Sequence, residues 1–177
     1  MTIVITILLA LAGIVALLFI LALFIKKEYT IYREIIINKP KQIVFDYVRQ
    51  LKNQDNYSKW VMIDPNMKKE FRGTDGTVGF VYAWDSENKN AGKGEQEIIK
   101  LIDGERIDIE VRFVKPFEGI ATTPLTTESV SDNQTKVRWQ MNGKSKYPMN
   151  VMNPFMDSLL GKDLQKSLIT LKGILEK

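Results

Sequence analysis

The chain has 177 residues, with 25 Lys or Arg against 21 Asp or Glu, which gives a formal net charge of +4. It contains neither Cys nor His, which excludes disulfides, thiolate nucleophiles, Ser-His triads and the usual zinc sites. So mild a basic surplus, with no Lys/Arg cluster interleaved with aromatics, does not indicate nucleic-acid binding. We therefore expect no metal ion, no cofactor and no nucleic-acid partner, and we assign no catalytic residue.

The stretch 3–25 is apolar throughout, with no charged residue and Thr6 as its one polar side chain. As a helix it spans roughly 34 Å at about 1.5 Å per residue, enough for a hydrocarbon core of about 30 Å. A secretory signal peptide is the alternative. It is disfavoured because no Lys or Arg precedes Ile3, the run exceeds the usual length, and no small-x-small site precedes Lys26. We predict a transmembrane anchor over residues 1–27 and a separate domain over 28–177.

The charges that flank the anchor predict its orientation. Lys26, Lys27, Arg33, Lys39 and Lys41 follow the apolar stretch, and no basic residue precedes it. By the positive-inside rule, the domain is expected in the cytoplasm of a single-pass membrane protein.

The next elements are a strand, a helix and an irregular segment. Residues 29–38 are rich in Ile and Tyr, as in a strand. Pro40 suits the first turn of a helix, after which apolar residues recur at helical spacing as far as Leu51. A short irregular segment then runs through Tyr57 and Trp60.

From residue 68 the pattern changes to the alternation of strands. Six strands are predicted, over 68–73, 78–84, 96–102, 106–114, 120–130 and 136–142. In the fourth, Ile107, Ile109, Val111 and Phe113 alternate with charged residues, which we interpret as a solvated outer face and not as acid–base groups. Tight turns join the strands, so the sheet should be antiparallel with one polar face.

The C-terminal stretch 154–175 has the spacing of an amphipathic helix. Its apolar stripe comprises Phe155, Leu159, Leu160, Leu164, Leu168, Leu171 and Leu175. A stripe of this size exposed for a partner protein is disfavoured as an aggregation hazard, so it should pack on the sheet. The predicted fold is α+β: a curved antiparallel sheet wrapped around a long C-terminal helix, preceded by one transmembrane helix.

Several short motifs support this architecture. They are Pro40-x-x-x-Val44-Phe45-Asp46-Tyr47, Asn56-Tyr57-Ser58-Lys59-Trp60, Val78-Gly79-Phe80-Val81-Tyr82-Ala83-Trp84, Gly92-Lys93-Gly94, Phe113-Val114-Lys115-Pro116-Phe117, Val137-x-Trp139 and Gly161-Lys162-Asp163-Leu164. As a set they resemble the SRPBCC superfamily, the START-like or polyketide cyclase/dehydrase-like helix-grip proteins. The resemblance implies a cavity between sheet and helix that binds or transforms a hydrophobic ligand, although fold alone does not give function.

The inward faces of the predicted strands and helix supply the candidate ligand-binding residues. They are Trp60, Phe80, Tyr82, Trp84, Phe113, Trp139, Met141, Leu160 and Leu164. Gly161 is expected to face Trp84 and Trp139 and to leave space there. The alternative is a filled core, because aromatics at alternating strand positions usually pack.

Three functions remain open. The first is a membrane-anchored, non-catalytic domain that binds a lipid or another hydrophobic small molecule. The second is a cyclase/dehydrase-like enzyme, which needs an inward polar group with a shifted pKa. The third is a structural or regulatory partner of a membrane complex, with a solid core. The volume and polarity of the cavity distinguish the three, and the sequence names no protein partner.

Overall fold

The structure, a computed structural model, describes residues 2–177; Met1 of the predicted anchor lies outside the described residues. It begins with a helix, α1 (Thr2–Phe24). Within this helix Ile3–Phe24 is long and apolar enough to cross a membrane. The side chains of Ile3–Phe24 are exposed except for that of Ala22, which contacts the rest of the protein.

The remaining elements form one sheet with helices on one side. The helices are α2 (Lys41–Val48), α3 (Gln54–Tyr57), α4 (Lys59–Met62) and α5 (Met156–Leu175), with 3₁₀ segments at Leu51–Asn53 and Met149–Phe155. The strands are β1 (Glu28–Ile37), β2 (Lys68–Arg72), β3 (Val81–Asp85), β4 (Lys93–Ile102), β5 (Arg106–Lys115), β6 (Gly119–Thr122), β7 (Leu125–Ser131) and β8 (Gln134–Lys144).

The sheet is antiparallel, in the order β1-β8-β6-β5-β4-β3-β2, with β7 beside β5 and β8. It wraps around α5, so the predicted helix-grip architecture is confirmed. The predicted strand 120–130 is divided, however, into β6 and β7. Pro124 lies in the gap, and because proline cannot donate a ladder hydrogen bond the continuous strand breaks there.

The C-terminal helix packs on the sheet along its second half. Leu164, Leu168 and Leu171 are fully buried, as the stripe predicts. Phe155 and Leu159 are instead more than half exposed, which corrects their predicted place in the core. Leu159 lies about 140° around the helix from Leu164, so it points away from the sheet, and Phe155 precedes the helix.

Two further predictions are corrected: the start of the strand 78–84 and the direction in which Gly161 faces. Val78 is exposed because β3 begins only at Val81 and the preceding residues form a turn. Gly161 faces β1 and not the tryptophans: a Cβ at this position would overlap the guanidinium of Arg33. That guanidinium donates two hydrogen bonds to Asp157, of 2.8 and 3.0 Å, so the glycine makes room for an ion pair.

The outer face of the sheet carries a network of ion pairs, as its alternation predicts. The guanidinium of Arg112 contacts Glu95 at 2.9 Å, Glu97 at 2.7 Å and Glu110 at 2.6 Å. Hydrogen bonds from Arg72 and Arg112 lower the pKa of the Glu95 carboxyl. These charges neutralise one another outside the core.

Candidate functional site

A cavity of about 240 Å³ lies between the concave face of the sheet, the segment α3–α4 and the first half of α5. Seven of the nine predicted ligand-binding residues line it: Trp60, Tyr82, Trp84, Phe113, Trp139, Met141 and Leu160. The sheet is therefore not filled by its own side chains at this place. Contact of these seven residues with a ligand stays a prediction.

Phe80 and Leu164 are absent from the described lining. Both are packed in the core, with exposed fractions of 1% and 0%. Phe80 precedes Tyr82 by one strand repeat, and Leu164 follows Leu160 by one helical turn, so each lies one layer deeper than a lining residue. The structure thus corrects their predicted place along the cavity.

The cavity has a closed end and a mouth, which the strand registers define. On β5, Val111, Phe113 and Lys115 line it but Ile109 does not, and on β8 Met141 and Trp139 line it. Val111 is paired with Gln96, and this level forms the floor. Lys115 and Pro116 lie at the opposite end, beside Asn90 and Ala91 of the β3–β4 turn, and form the mouth.

Aromatic pairs stiffen the walls. The rings of Trp60 and Trp139 meet edge to face with centroids 6.1 Å apart, and those of Trp84 and Phe113 do so at 6.3 Å. The indole N–H of Trp84 donates to the carbonyl of Ala91, 3.0 Å away, which fixes the ring beside the mouth. All three tryptophans of the chain therefore line the cavity.

Besides the exposed Asn90, four buried, uncharged polar residues line the cavity, and the sequence analysis missed them: Gln54, Ser58, Gln96 and Thr123. All are at least nine-tenths buried. The Gln96 amide donates to the Gln54 side-chain carbonyl at 3.0 Å. The sequence did indicate the direction of these side chains. Gln96 lies between the inward Gly94 and Ile98 in the β4 alternation, and the four-residue spacing of Gln54 and Ser58 puts them on one side of a helical segment.

The ionisable groups of the lining, within residues 2–177, are Tyr29, Tyr82 and Lys115. Burial raises the pKa of the Tyr29 hydroxyl. Burial, together with its hydrogen bond of 2.7 Å to Asp55, raises the pKa of the Tyr82 hydroxyl. Both tyrosines are therefore neutral at ordinary pH. No carboxylate is among the described lining residues, and the described part of the chain has no acidic cluster that could hold a metal ion.

The mouth lies at the end of the sheet where α1 joins it. Lys27 accepts a backbone hydrogen bond of 2.8 Å from Ser145, directly after β8. The buried Asn150 amide donates to the carbonyls of Ala22 and Ile25, at 2.6 and 2.7 Å. These contacts hold the last turn of α1 against the 3₁₀ segment Met149–Phe155.

Exposed apolar side chains lie at this end of the sheet. We call them the anchor-side rim: Phe117, Met149, Met152, Phe155 and Leu159. Phe117 lies in the β5–β6 connection, two residues after Lys115. Met149, Met152 and Phe155 lie on the 3₁₀ segment, and Leu159 lies in the first turn of α5. Single exposed apolar residues are ordinary, but such a group marks an interaction surface.

Solved structures share this architecture at low sequence identity. Norcoclaurine synthase from Thalictrum flavum, in complex with dopamine and hydroxybenzaldehyde, is 12% identical, with a TM-score of 0.63 over 83% of this chain and 86% of its own. The Zhui aromatase/cyclase from Streptomyces sp. R1128 is 10% identical, with a TM-score of 0.62 over 84% of this chain and 94% of its own. The Aha1 dimer from Colwellia psychrerythraea is 19% identical, with a TM-score of 0.57 over 83% and 96%.

No known family model and no curated protein matches the sequence. At the identities found among the solved structures, the likeness shows the fold. The predicted resemblance to SRPBCC helix-grip proteins is thus confirmed for the architecture of the chain.

Proposed function

We propose that this helix-grip protein is a membrane-anchored, non-catalytic binding protein for a lipid or another hydrophobic small molecule. In this proposal residues 1–27 are the anchor and residues 28–177 are the binding domain. The supporting observation is the cavity of about 240 Å³, walled by aromatic and aliphatic side chains. Burial of a ligand there removes apolar surface from water at roughly 25 cal/mol per Å².

Contacts between α1 and the 3₁₀ segment support a retained anchor over a cleaved signal peptide. The last carbonyls of a helix lack intrahelical partners. Asn150 satisfies two of them, and the Tyr147 hydroxyl donates to the carbonyl of Phe19 at 3.2 Å. Removal of α1 would leave the fully buried Asn150 without these partners.

The anchor-side rim supports a cavity that opens at the membrane surface. Tyr147 reaches the helix six residues before Ile25, about 9 Å along its axis. In a bilayer this places the tyrosine at the interface, where aromatic side chains are enriched. Lys26, Lys27, Lys144 and Lys146 lie at the same end and attract anionic headgroups. The rim then rests among headgroups, and a ligand passes between leaflet and cavity without crossing water.

The two alternatives receive less support. A cyclase-like enzyme would have to use Tyr29, Tyr82 or Lys115, because the described lining offers no carboxylate. Acid–base catalysis at neutral pH uses groups with a pKa near 7, whereas both tyrosines are shifted away from it. A closed structural partner would have a filled core, and the cavity argues against that. The lining therefore favours binding.

Ligand occupancy is the direct test of this function. The full chain, extracted in mild detergent, is expected to show in native mass spectrometry a fraction that carries one apolar small molecule. The uncharged dye N-phenyl-1-naphthylamine should enter the emptied cavity and quench the tryptophan emission by energy transfer. A chain with no adduct and no energy transfer to the dye would contradict the proposal.

Single cysteines test the membrane position, since the chain has none of its own. A fluorophore on Met152→Cys or Phe117→Cys, in full-length protein in nanodiscs, should be quenched by lipids that carry a shallow spin label. The matched control is Asp132→Cys in the β7–β8 turn, at the far end of β1, and it should not be quenched. Equal quenching at rim and control would refute the rim position.

The same control variant tests orientation. In intact cells, an impermeant maleimide should leave Asp132→Cys unlabelled until the cells are broken, because the domain is proposed to be cytoplasmic. Labelling in intact cells would show that the predicted orientation is wrong, but it would not contradict the membrane anchor.

A further inference from the structure

We propose that the floor of the cavity is a subsite for an uncharged hydroxyl group of an amphiphile, whose apolar chain extends to the mouth. This inference rests on the proposed binding function and names the class of ligand. The amphiphile is a long-chain alcohol or another lipid with a free hydroxyl at one end. It would enter with its polar end first.

Unused hydrogen-bonding capacity at the floor carries the inference. Gln54 and Gln96 are 3% and 7% exposed, and one hydrogen bond joins their amides. Among residues 2–177, the Nε2 of Gln54 and the Oε1 of Gln96 have no other partner. The hydroxyls of Ser58 and Thr123, both nine-tenths buried in the same lining, likewise make no hydrogen bond in the described chain.

These groups are available to a ligand, because polar atoms inside proteins are nearly always hydrogen-bonded to protein, ligand or ordered water. They comprise a donor on Gln54, an acceptor on Gln96 and two hydroxyls that can act as either. A ligand hydroxyl accepts from one group and donates to another. A hydrocarbon end can do neither, so the floor distinguishes the two ends of an amphiphile.

Charge at the floor is disfavoured by the same residues. The four polar groups are neutral, and Tyr82 is held neutral by burial and by its hydrogen bond to Asp55. Lys115, the one cation of the described lining, lies at the mouth. A carboxylate or ammonium at the floor would be buried without a counter-charge, which proteins avoid.

Three ten-carbon probes distinguish the effects of a hydroxyl group, an apolar chain and a charge: 1-decanol, decane and decanoate at pH 8. Each displaces N-phenyl-1-naphthylamine from full-length protein in nanodiscs, and tryptophan-to-dye energy transfer reports occupancy. The variant is Gln54→Met with Gln96→Met, which replaces both amides by apolar side chains of similar size. Partition into the bilayer is the same for both proteins and cancels in the comparison.

The wild-type protein is expected to bind 1-decanol about tenfold more tightly than decanoate, after each affinity is corrected for the partition of that probe into protein-free nanodiscs. The double variant should lose about tenfold in affinity for 1-decanol, as expected for one or two hydrogen bonds, and none for decane. Ser58→Ala should lose about threefold for the alcohol alone, with the packing of both amides intact. Thermal unfolding of each variant confirms that it is folded.

The results of this experiment distinguish a failure of the hydroxyl subsite from a failure of the binding function. If 1-decanol and decane lose affinity equally in the double variant, or decanoate binds more tightly than 1-decanol, the hydroxyl subsite is wrong and the binding function stands. If no probe displaces the dye from the wild-type protein, the cavity does not bind apolar molecules and both proposals fail.

Discussion

Val111→Phe is expected to abolish ligand binding while the fold stays intact. Val111 is 7% exposed and lies at the floor level of the cavity, opposite Gln96. A phenyl ring there fills empty space, buries apolar area at roughly 25 cal/mol per Å² and should raise the free energy of unfolding by up to about 1 kcal/mol. Dye binding should fall by at least about tenfold, measured by energy transfer from tryptophan.

Val137→Phe is the matched control. This valine also points inward, on β8, but it is fully buried in the packed core and does not line the cavity. A larger ring must displace its neighbours, so overpacking should cost about 1–3 kcal/mol. If Val111→Phe destabilises the protein as much as Val137→Phe does, the cavity is a closely packed core and ligand binding is refuted.

Gly92→Ala should produce the largest loss of stability. Gly92 has φ +63°, a left-handed conformation that L-residues adopt at a cost. A Cβ there would also overlap the backbone carbonyl oxygen of Lys115, which cannot rotate away as a side chain can. Strain and displacement together should cost about 3 kcal/mol, and lower the melting temperature by about 10 °C.

The loss should extend to binding, because Gly92 holds the β3–β4 turn against the mouth. Displacement of Lys115 shifts Ala91, whose carbonyl fixes the Trp84 indole. Gly119→Ala, at the start of β6, is the control. A Cβ at Gly119 meets no atom within 4 Å, so stability and binding should be unchanged. An unaltered melting temperature in Gly92→Ala would contradict the close approach.

The sheet and the wrapped helix could be predicted because their residues follow a simple period. On β5 the alternation of Ile107, Ile109 and Val111 with charged residues holds from Arg106 to Arg112. Leu164, Leu168 and Leu171 recur one turn apart on α5 and are buried together. Periodicity alone misses two features: the local effect of Pro124, which divides a strand, and a tertiary contact at Gly161, which leaves space for an ion pair of Arg33.

The candidate site was only partly predictable for a related reason. Large aromatics on inward positions identify the walls, so Trp84 and Trp139 could be named from their spacing. The spacing does not tell a lining residue from one packed a layer deeper, as with Phe80. Polar residues such as Gln54 and Gln96 were not considered as inward, because polarity usually indicates a solvated face. Only the three-dimensional arrangement brings those two amides within 3.0 Å.

The connection between α1 and the sheet limits where this protein can act. Three residues separate Phe24 from Glu28, which extend at most about 10 Å. Asn150 further fixes the rotation of the helix against the 3₁₀ segment. If α1 is a membrane anchor, this link is too short for the domain to reach a second bilayer. Its cargo would be exchanged with the leaflet beneath it, so the protein would serve as a local reservoir or presenter and not as a carrier between organelles or envelope layers.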